Sequence, residues 1–246
     1  MKKILTLVVA SMFALSSQSF AKDFGNYKID AELGYSMDGW TATGTDLNSA
    51  RGIAYASIDF EFSPNDKFKL LSENDTYEIE DETTTDGSYS MGYTHRLTAY
   101  YLINDFEIGI YGEVEDFNAN QNQGSAGSYQ GVDVHYNING YTLGFDYAEE
   151  LSDGSINDAR TTRWAEQIYQ YSVERSSEIM GKVVNFELLY TDIDNLRDTI
   201  SFDTEVMLHE NFGFGILVGE NDGKGAFSSV ESQSRDFATA RIFAKY

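Results

Sequence analysis

The sequence predicts an all-β chain: a transmembrane, antiparallel, up-and-down β-barrel of about twelve strands. Two observations carry that prediction. Apolar and polar residues alternate with period two in segment after segment, which is the pattern of strands with one buried or lipid-facing side. The last segment, Asp236 to Tyr246, also has no turn residue after Asp236. One of its faces is Ala238, Ala240, Ile242, Ala244 and Tyr246; the other is Phe237, Thr239, Arg241, Phe243 and Lys245. One wholly apolar face and one mixed face suit a wall between lipid and water.

The chain begins with a basic Met1-Lys2-Lys3, an apolar run from Ile4 to Leu15 and a small-x-small pattern at Ser19-Phe20-Ala21. This reads as a signal peptide, residues 1–21, cleaved after Ala21. The run is too short for a membrane-spanning helix, which needs about 20 apolar residues. Residues 22–246 then form one barrel domain, with no linker to divide them. Removing Lys2 and Lys3 from the 17 basic residues leaves 15 against 40 acidic ones, a formal charge of −25. That balance excludes a nucleic-acid partner, which needs a basic footprint. The chain has no cysteine, hence no disulfide framework or thiolate site. The 17 Tyr and 16 Phe argue against disorder.

The strands follow in order. Tyr27 to Tyr35 sets Tyr27, Ile29, Ala31 and Leu33 against Lys28, Asp30 and Glu32. Arg51 to Ser63 sets Ala54, Ala56, Ile58, Phe60 and Phe62 against Tyr55, Ser57, Asp59 and Glu61. Lys67 to Ile79 alternates poorly. Tyr89 to Leu102 sets Met91, Tyr93, Leu97, Ala99 and Tyr101 against Thr94, Arg96 and Thr98. The fifth strand is clean: Phe106, Ile108, Ile110 and Val114 against Glu107, Tyr111, Glu113 and Glu115. The sixth and seventh set Val132, Val134 and Tyr136, then Tyr141, Leu143, Phe145 and Tyr147, against Asp133, His135 and Asp146. The eighth to eleventh place Glu166 and Glu174, then Glu187, then Asp203 and Glu205, opposite apolar faces; in the eleventh, Phe212, Phe214, Ile216 and Val218 alternate with glycines.

The connections alternate in length. Short ones are Pro64 to Asp66, Asn104-Asp105, Asn139-Gly140, Ser176 to Gly181 and Glu210-Asn211. Long ones are Gly39 to Ala50, Glu80 to Ser88, Asn118 to Ser128, Glu150 to Arg163, Thr191 to Asp198 and Glu220 to Ser234. Asn139-Gly140 is a type I′ hairpin signal. Outer-membrane barrels have short periplasmic turns and longer external loops, so this ordering puts both termini on the periplasmic side.

The inward-pointing set is acidic. The candidate pore-lining residues are Asp30, Glu32, Asp59, Glu61, Arg96, Glu107, Glu113, Glu115, Asp133, His135, Glu166, Glu187, Asp203, Glu205 and Arg241. So many carboxylates repel one another in a dry interior. Water in the lumen, or pairing with cations, must relieve them. A water-filled pore is the simpler arrangement because basic partners are few, and acidic walls favour cations.

The terminal aromatic strand, with Ile242 and Tyr246 at alternate positions, resembles the closing strand of Gram-negative outer-membrane β-barrels, where the barrel-assembly machinery reads such an ending. The whole chain after residue 21 resembles a small outer-membrane porin or channel, and twelve strands at this length are similar to the monomeric oligogalacturonate-porin type. That resemblance implies passive diffusion of small hydrophilic solutes, no cofactor, no bound metal and no enzymatic activity, in a setting of outer-membrane lipid and lipopolysaccharide. The chain departs from that type, whose pore is expected to carry arginines for acidic sugars.

Two alternatives stay open. One is a closed structural or adhesin-like barrel. The other is a barrel enzyme. Asp133 and His135 share a face, as in the outer-membrane protease family, but His135 lies near the Asn139-Gly140 turn whereas that family works at the outer rim. The outer-membrane phospholipase family pairs a His with a Ser two residues later; here Asn137, Leu97 and Asn211 stand at that spacing from His135, His95 and His209. The acidic loops carry Glu78, Glu80, Asp81, Glu82 and Asp86, then Asp153 and Asp158. Carboxylates of this kind suit divalent cations bridging to lipopolysaccharide, or simple solvation.

Protease added to intact cells is expected to cut within Glu80 to Ser88, Glu150 to Arg163 or Glu220 to Ser234. Fragments ending at Asn139-Gly140 on a gel would invert the orientation.

Overall fold

Each alternating segment has one face for hydrocarbon and one that needs water or polar partners, and its backbone groups have no water to bond in the bilayer. Closing the sheet on itself meets both demands. The computed structural model describes residues 25–42, 49–80, 89–119, 123–152, 167–194, 197–223 and 235–245. Side chains are described there except in 38–51, 78–91, 115–126, 152, 197, 223 and 235. The leader expected over residues 1–21 lies outside the described residues, as do Glu166 and Tyr246.

Twelve strands form one closed barrel: β1 (Tyr27–Ala42), β2 (Ser49–Asn65), β3 (Phe68–Glu80), β4 (Tyr89–Ile103), β5 (Phe106–Ala119), β6 (Gln123–Ile138), β7 (Tyr141–Ser152), β8 (Gln167–Ile179), β9 (Lys182–Ile193), β10 (Arg197–His209), β11 (Phe212–Gly223) and β12 (Arg235–Lys245). Each strand pairs antiparallel with the next. The ring closes where β12 meets β1, with Leu33 opposite Ala244 and Tyr35 opposite Ile242. The first and last described residues lie at the same end of the barrel as the short turns, where Ser63 N–H donates to the Asn26 carbonyl and Lys245 N–H to the Asn211 carbonyl.

The turns at that end follow their residues. Asn139 and Gly140 both have positive φ, 52° and 79°, as a type I′ turn requires. Met180 and Gly181 do the same at 53° and 73°. Methionine is not a turn former, which is why the sequence spreads this connection over Ser176 to Gly181. The structure corrects that: Ser176 to Ile179 continue β8.

A second correction concerns the opposite end. β5 runs to Ala119 and β6 begins at Gln123; β9 runs to Ile193 and β10 begins at Arg197. The expected long connections over 118–128 and 191–198 are therefore mostly strand, and the short-long alternation holds for only four of the six pairs of strands joined there. Residues poor in strand propensity are drawn into the ladder by their neighbours, with Phe117 opposite Ser125 and Asn118 opposite Gly124.

The register assigns the faces. Ile110 pairs with Ala99 on one side and Val132 on the other, Phe202 with Leu188 and Val218, and Tyr35 with Ala54 and Ile242. These apolar rows point outward; Ile110 is 66% exposed. Stacked or tilted aromatic pairs mark both ends of the outer wall. Tyr27–Phe62, Phe68–Tyr101 and Phe106–Tyr136 lie toward the short turns, at ring-centroid distances of 4.7, 5.3 and 4.3 Å. Tyr147–Tyr169 lies toward the opposite rim, at 5.1 Å. Amphipathic rings at both edges of an apolar band suit the two membrane–water boundaries.

Ile110→Lys should place a charge in that band at a cost of about 2–4 kcal/mol. The heat-modifiable, folded species on an unheated gel is expected to fall sharply; a wild-type level would mean that the outer face has been assigned wrongly.

Candidate functional site

On a convex face, a side chain reaches only the next strand. On the concave face, curvature brings second and third neighbours together. Arg96 on β4 reaches Asp133 on β6 at 3.2 Å and Asp146 on β7 at 2.6 Å. Arg241 on β12 reaches Asp203 and Glu205 on β10, the latter at 2.9 Å. These contacts identify the interior, and they gather its charges into two groups.

The first group lies on β3–β7. Arg96 sits between Asp133 and Asp146, with Glu73 at 3.7 Å, and stacks over the Tyr111 ring at 3.6 Å. The Tyr100 hydroxyl donates to Asp133 and the Tyr111 hydroxyl to Asp146. His135 Nε2 lies 3.2 Å from Asp133 Oδ1. Lys69 pairs with Glu107 and stands over the Tyr100 ring. The second group lies on β9, β10, β12, β1 and β2. Lys245 bridges Glu32 at 3.3 Å and Glu205 at 2.8 Å. The Tyr55 hydroxyl donates to Glu32, and the Asn185 amide donates to Glu205.

Aromatic side chains in this interior lie along the wall because glycines face them. Tyr55 is opposite Gly34, Tyr77 opposite Gly92, Tyr100 opposite Gly109, Tyr111 opposite Gly131 and Phe243 opposite Gly213. A Cβ on Gly34 would lie 2.0 Å from the Tyr55 ring, and one on Gly213 would lie 2.4 Å from Phe243. Each ring therefore rests on its neighbour's backbone instead of projecting toward the barrel axis. Phe243 is fully buried in this way.

Toward the short turns lies a cavity of about 760 Å³ whose lining includes Glu174, Glu187, Asp203, Glu205 and Arg241. Glu174 is directly opposite Glu187, and Glu187 directly opposite Asp203. Among the described residues, no group of three or more His, Cys, Asp or Glu is arranged to hold a metal ion.

The other predicted site residues fall as follows. Asp30 pairs with Lys28 and faces Asp59 across the β1–β2 seam. Glu61 accepts the Ser63 hydroxyl at 3.0 Å. Glu113 is opposite Arg96 in the ladder. Glu115 is opposite Thr94 in the backbone register, but its side chain lies outside the described residues, and so does Glu166. Ile242 sits on the outer face between Tyr35 and Phe214; Tyr246 lies outside the described residues.

The sequence missed Lys69, Glu73 and Asp75 because β3 alternates poorly. Its inner row includes Leu71 and Tyr77, and its outer row includes Ser72, Asn74 and Thr76. Periodicity could not find them. Pairing to the clean fourth strand could, since Glu73 sits opposite Arg96 and Asp75 opposite Thr94.

The outer face also carries His95, with Nδ1 2.8 Å from Asn74 Oδ1. A histidine oriented by an amide is half of a hydrolase constellation. Along its strand His95 is flanked by Tyr93 and Leu97 and across β5 by Val114; on β3 the outer hydroxyls of Ser72 and Thr76 stand on either side of Asn74, and Ser72 Oγ lies 3.3 Å from Asn74 Nδ2.

No protein-family model and no curated protein sequence matches the chain. Solved structures do. Outer membrane phospholipase A from Escherichia coli is similar at a TM-score of 0.59 and 8% identity, over 96% of each chain. An outer membrane channel from Pseudomonas putida F1 is similar at a TM-score of 0.56 and 10% identity, over 93% of this chain and 99% of that one. A KdgM porin in complex with disordered oligogalacturonate is similar at a TM-score of 0.50 and 12% identity, over 87% of this chain and 98% of that one. At these identities the shared property is the barrel fold.

Arg96→Met should leave Asp133 and Asp146 without their cation and destabilise the barrel by about 3–5 kcal/mol, read as a lower urea midpoint in detergent micelles. Adding Asp133→Asn and Asp146→Asn should restore part of the loss. An unchanged midpoint for the single variant would mean that the network contributes nothing.

Proposed function

We propose that this protein is an outer-membrane channel for passive diffusion of small hydrophilic solutes, with a mild preference for cations. The observation that carries the reading is the cavity toward the short turns. Four carboxylates line it, Glu174, Glu187, Asp203 and Glu205, together with two arginines, Arg175 and Arg241. Arg175 is engaged by the Tyr141 hydroxyl and ring on the outer face, so Arg241 is the one described arginine that meets the carboxylates from within. Directly opposed carboxylates such as Glu174 and Glu187 repel each other, and water or a passing cation relieves that repulsion.

The flat aromatic rings support an open path, because they add bulk to the wall and not to the axis. The bonded interior charges support it too: side chains held by two or three partners stay at the wall. The structural neighbours include an outer membrane channel and a porin, which supports a transport role for a barrel of this size. In this reading the pore is lined by the interior carboxylates together with Arg96, His135 and Arg241. Residues 1–21 direct export, and the terminal strand with Ile242 and Tyr246 presents the chain to the barrel-assembly machinery. The outer wall meets outer-membrane lipid and lipopolysaccharide.

Carboxylates in a narrow aqueous lumen raise the local cation concentration, and salt screens the effect over about 8–10 Å at physiological strength. Glu174→Lys with Glu187→Lys should therefore move the reversal potential in a KCl gradient toward anion preference, most visibly at low salt. Stable open steps with unchanged selectivity would remove the cation preference. A purified barrel that gives no steps in a planar bilayer would replace the channel with a closed structural or adhesin-like barrel.

A further inference from the structure

One seam of the barrel is interrupted in mid-span. Between β2 and β3 the ladder passes from Ser57 opposite Asp75 to Phe60 opposite Ser72. The register is the same on both sides, yet Ile58, Asp59, Glu73 and Asn74 between them are not backbone partners. Among the described residues, the other seams pair continuously through their middles.

Side chains take over the freed groups. The Asn74 backbone N–H donates to the Asp59 carboxylate. Asn74 Nδ2 donates to the Ile58 carbonyl at 2.9 Å. His95, opposite Asn74 on β4, holds that amide in place through Asn74 Oδ1. With its amide nitrogen acting as donor, Oδ1 is the acceptor and His95 Nδ1 carries the proton. This accounts for polar residues on a face turned to lipid: a carbonyl released from the ladder is costly in hydrocarbon unless something bonds it.

The two sides of the break differ in chemistry. On the lipid side lies an apolar groove of about 640 Å³, lined among others by Tyr27, Ile29, Phe60, Phe62, Leu70 and Leu97. It begins at the break, since Phe60 and Ser72, the first residues to pair again, both line it. On the interior side the break is flanked by Asp59, Glu73 and Asp75.

We propose that the β2–β3 seam is a lateral gate that passes a small amphiphile with a cationic head and a short apolar tail from the lumen to the lipid. It rests on the reading of the interior as a solute path. Asn74, positioned by His95, is the latch. Parting the strands here begins with the Asn74 and Asp59 side chains changing rotamer, where an intact seam would first have to give up backbone pairs. The head exchanges among Asp59, Asp75 and water while the tail enters the groove, and the barrel stays closed above and below. An anionic head is repelled by the same carboxylates.

The chain has no cysteine, so a disulfide can be placed cleanly. Ala56→Cys with Thr76→Cys joins directly opposed residues on one side of the break; Glu61→Cys with Leu71→Cys is a second lock on the other side, for use if the first does not oxidise. Oxidised and reduced forms of one variant are compared in two assays. One is accumulation of a fluorophore-tagged octylammonium by cells with an intact lipopolysaccharide leaflet. The other is KCl conductance in planar bilayers. The expected result is loss of the protein-dependent accumulation on oxidation, recovery on reduction, and unchanged conductance. Equal accumulation by both forms, or none through the wild-type protein, overturns the gate. Accumulation that stops with the lock in a protein giving no current supports the gate and overturns the open pore.

Discussion

Everything in this structure depends on one constraint: a backbone inside a bilayer must bond to itself. The β1–β12 pairing that closes the ring removes two sheet edges that water could not serve. Closure then fixes the rest. Twelve strands in one ring give each residue a defined face, and the ring's curvature separates a convex side, where side chains meet only neighbours, from a concave side, where they meet across strands. Arg96 spans from β4 to β7 for that reason. The exposed Ile110, one strand away, is flanked in the ladder by Ala99 and Val132.

The interior resolves a conflict created by composition. A chain with far more acid than base folds its carboxylates onto one surface, where mutual repulsion opposes assembly. The described cations answer by sharing. Arg96, Arg241 and Lys245 each serve at least two carboxylates, and tyrosine hydroxyls serve as further donors to Asp133, Asp146 and Glu32. Shared pairing therefore relieves much of the repulsion among the described interior carboxylates. The network occupies the walls, glycines make room for rings within those walls, and the cavity toward the short turns is lined by Glu174, Glu187, Asp203 and Glu205.

Much of this was legible in the sequence because a barrel repeats one rule. Alternation identified eleven of the strands and their faces, and the closing strand paired as its apolar row implied, with Ala244 and Ile242 opposite Leu33 and Tyr35. The turn at Asn139-Gly140 was legible because its residues suit positive φ. The turn at Met180-Gly181 was obscured because methionine carries no such signal. The strand extensions through Ser125 to Gly127 and around Thr199 were hidden for a different reason: the ladder there is imposed by neighbours, and no local propensity announces it. The cationic side of the network was underestimated for want of β3, whose Lys69 faces Glu107 two strands away.

The irregularity of β3 is itself informative. A lipid-facing row of Ser72, Asn74 and Thr76 looks like an error when judged by periodicity, and it would be one in an unbroken wall. The hydrogen bonds give it a role. Asn74 bonds the Ile58 carbonyl, and Thr76 Oγ1 lies 3.4 Å from the Ala56 carbonyl; both acceptors belong to β2, the strand from which β3 partly withdraws. Asn74 thus supplies a side-chain bond where the ladder is interrupted, and Thr76 adds one at a paired position beside it. His95 belongs to the same device, since an asparagine that could rotate freely would leave the carbonyl bare. A feature that reads as noise along the chain becomes, once the strands are paired, the place where the wall is held by groups able to let go.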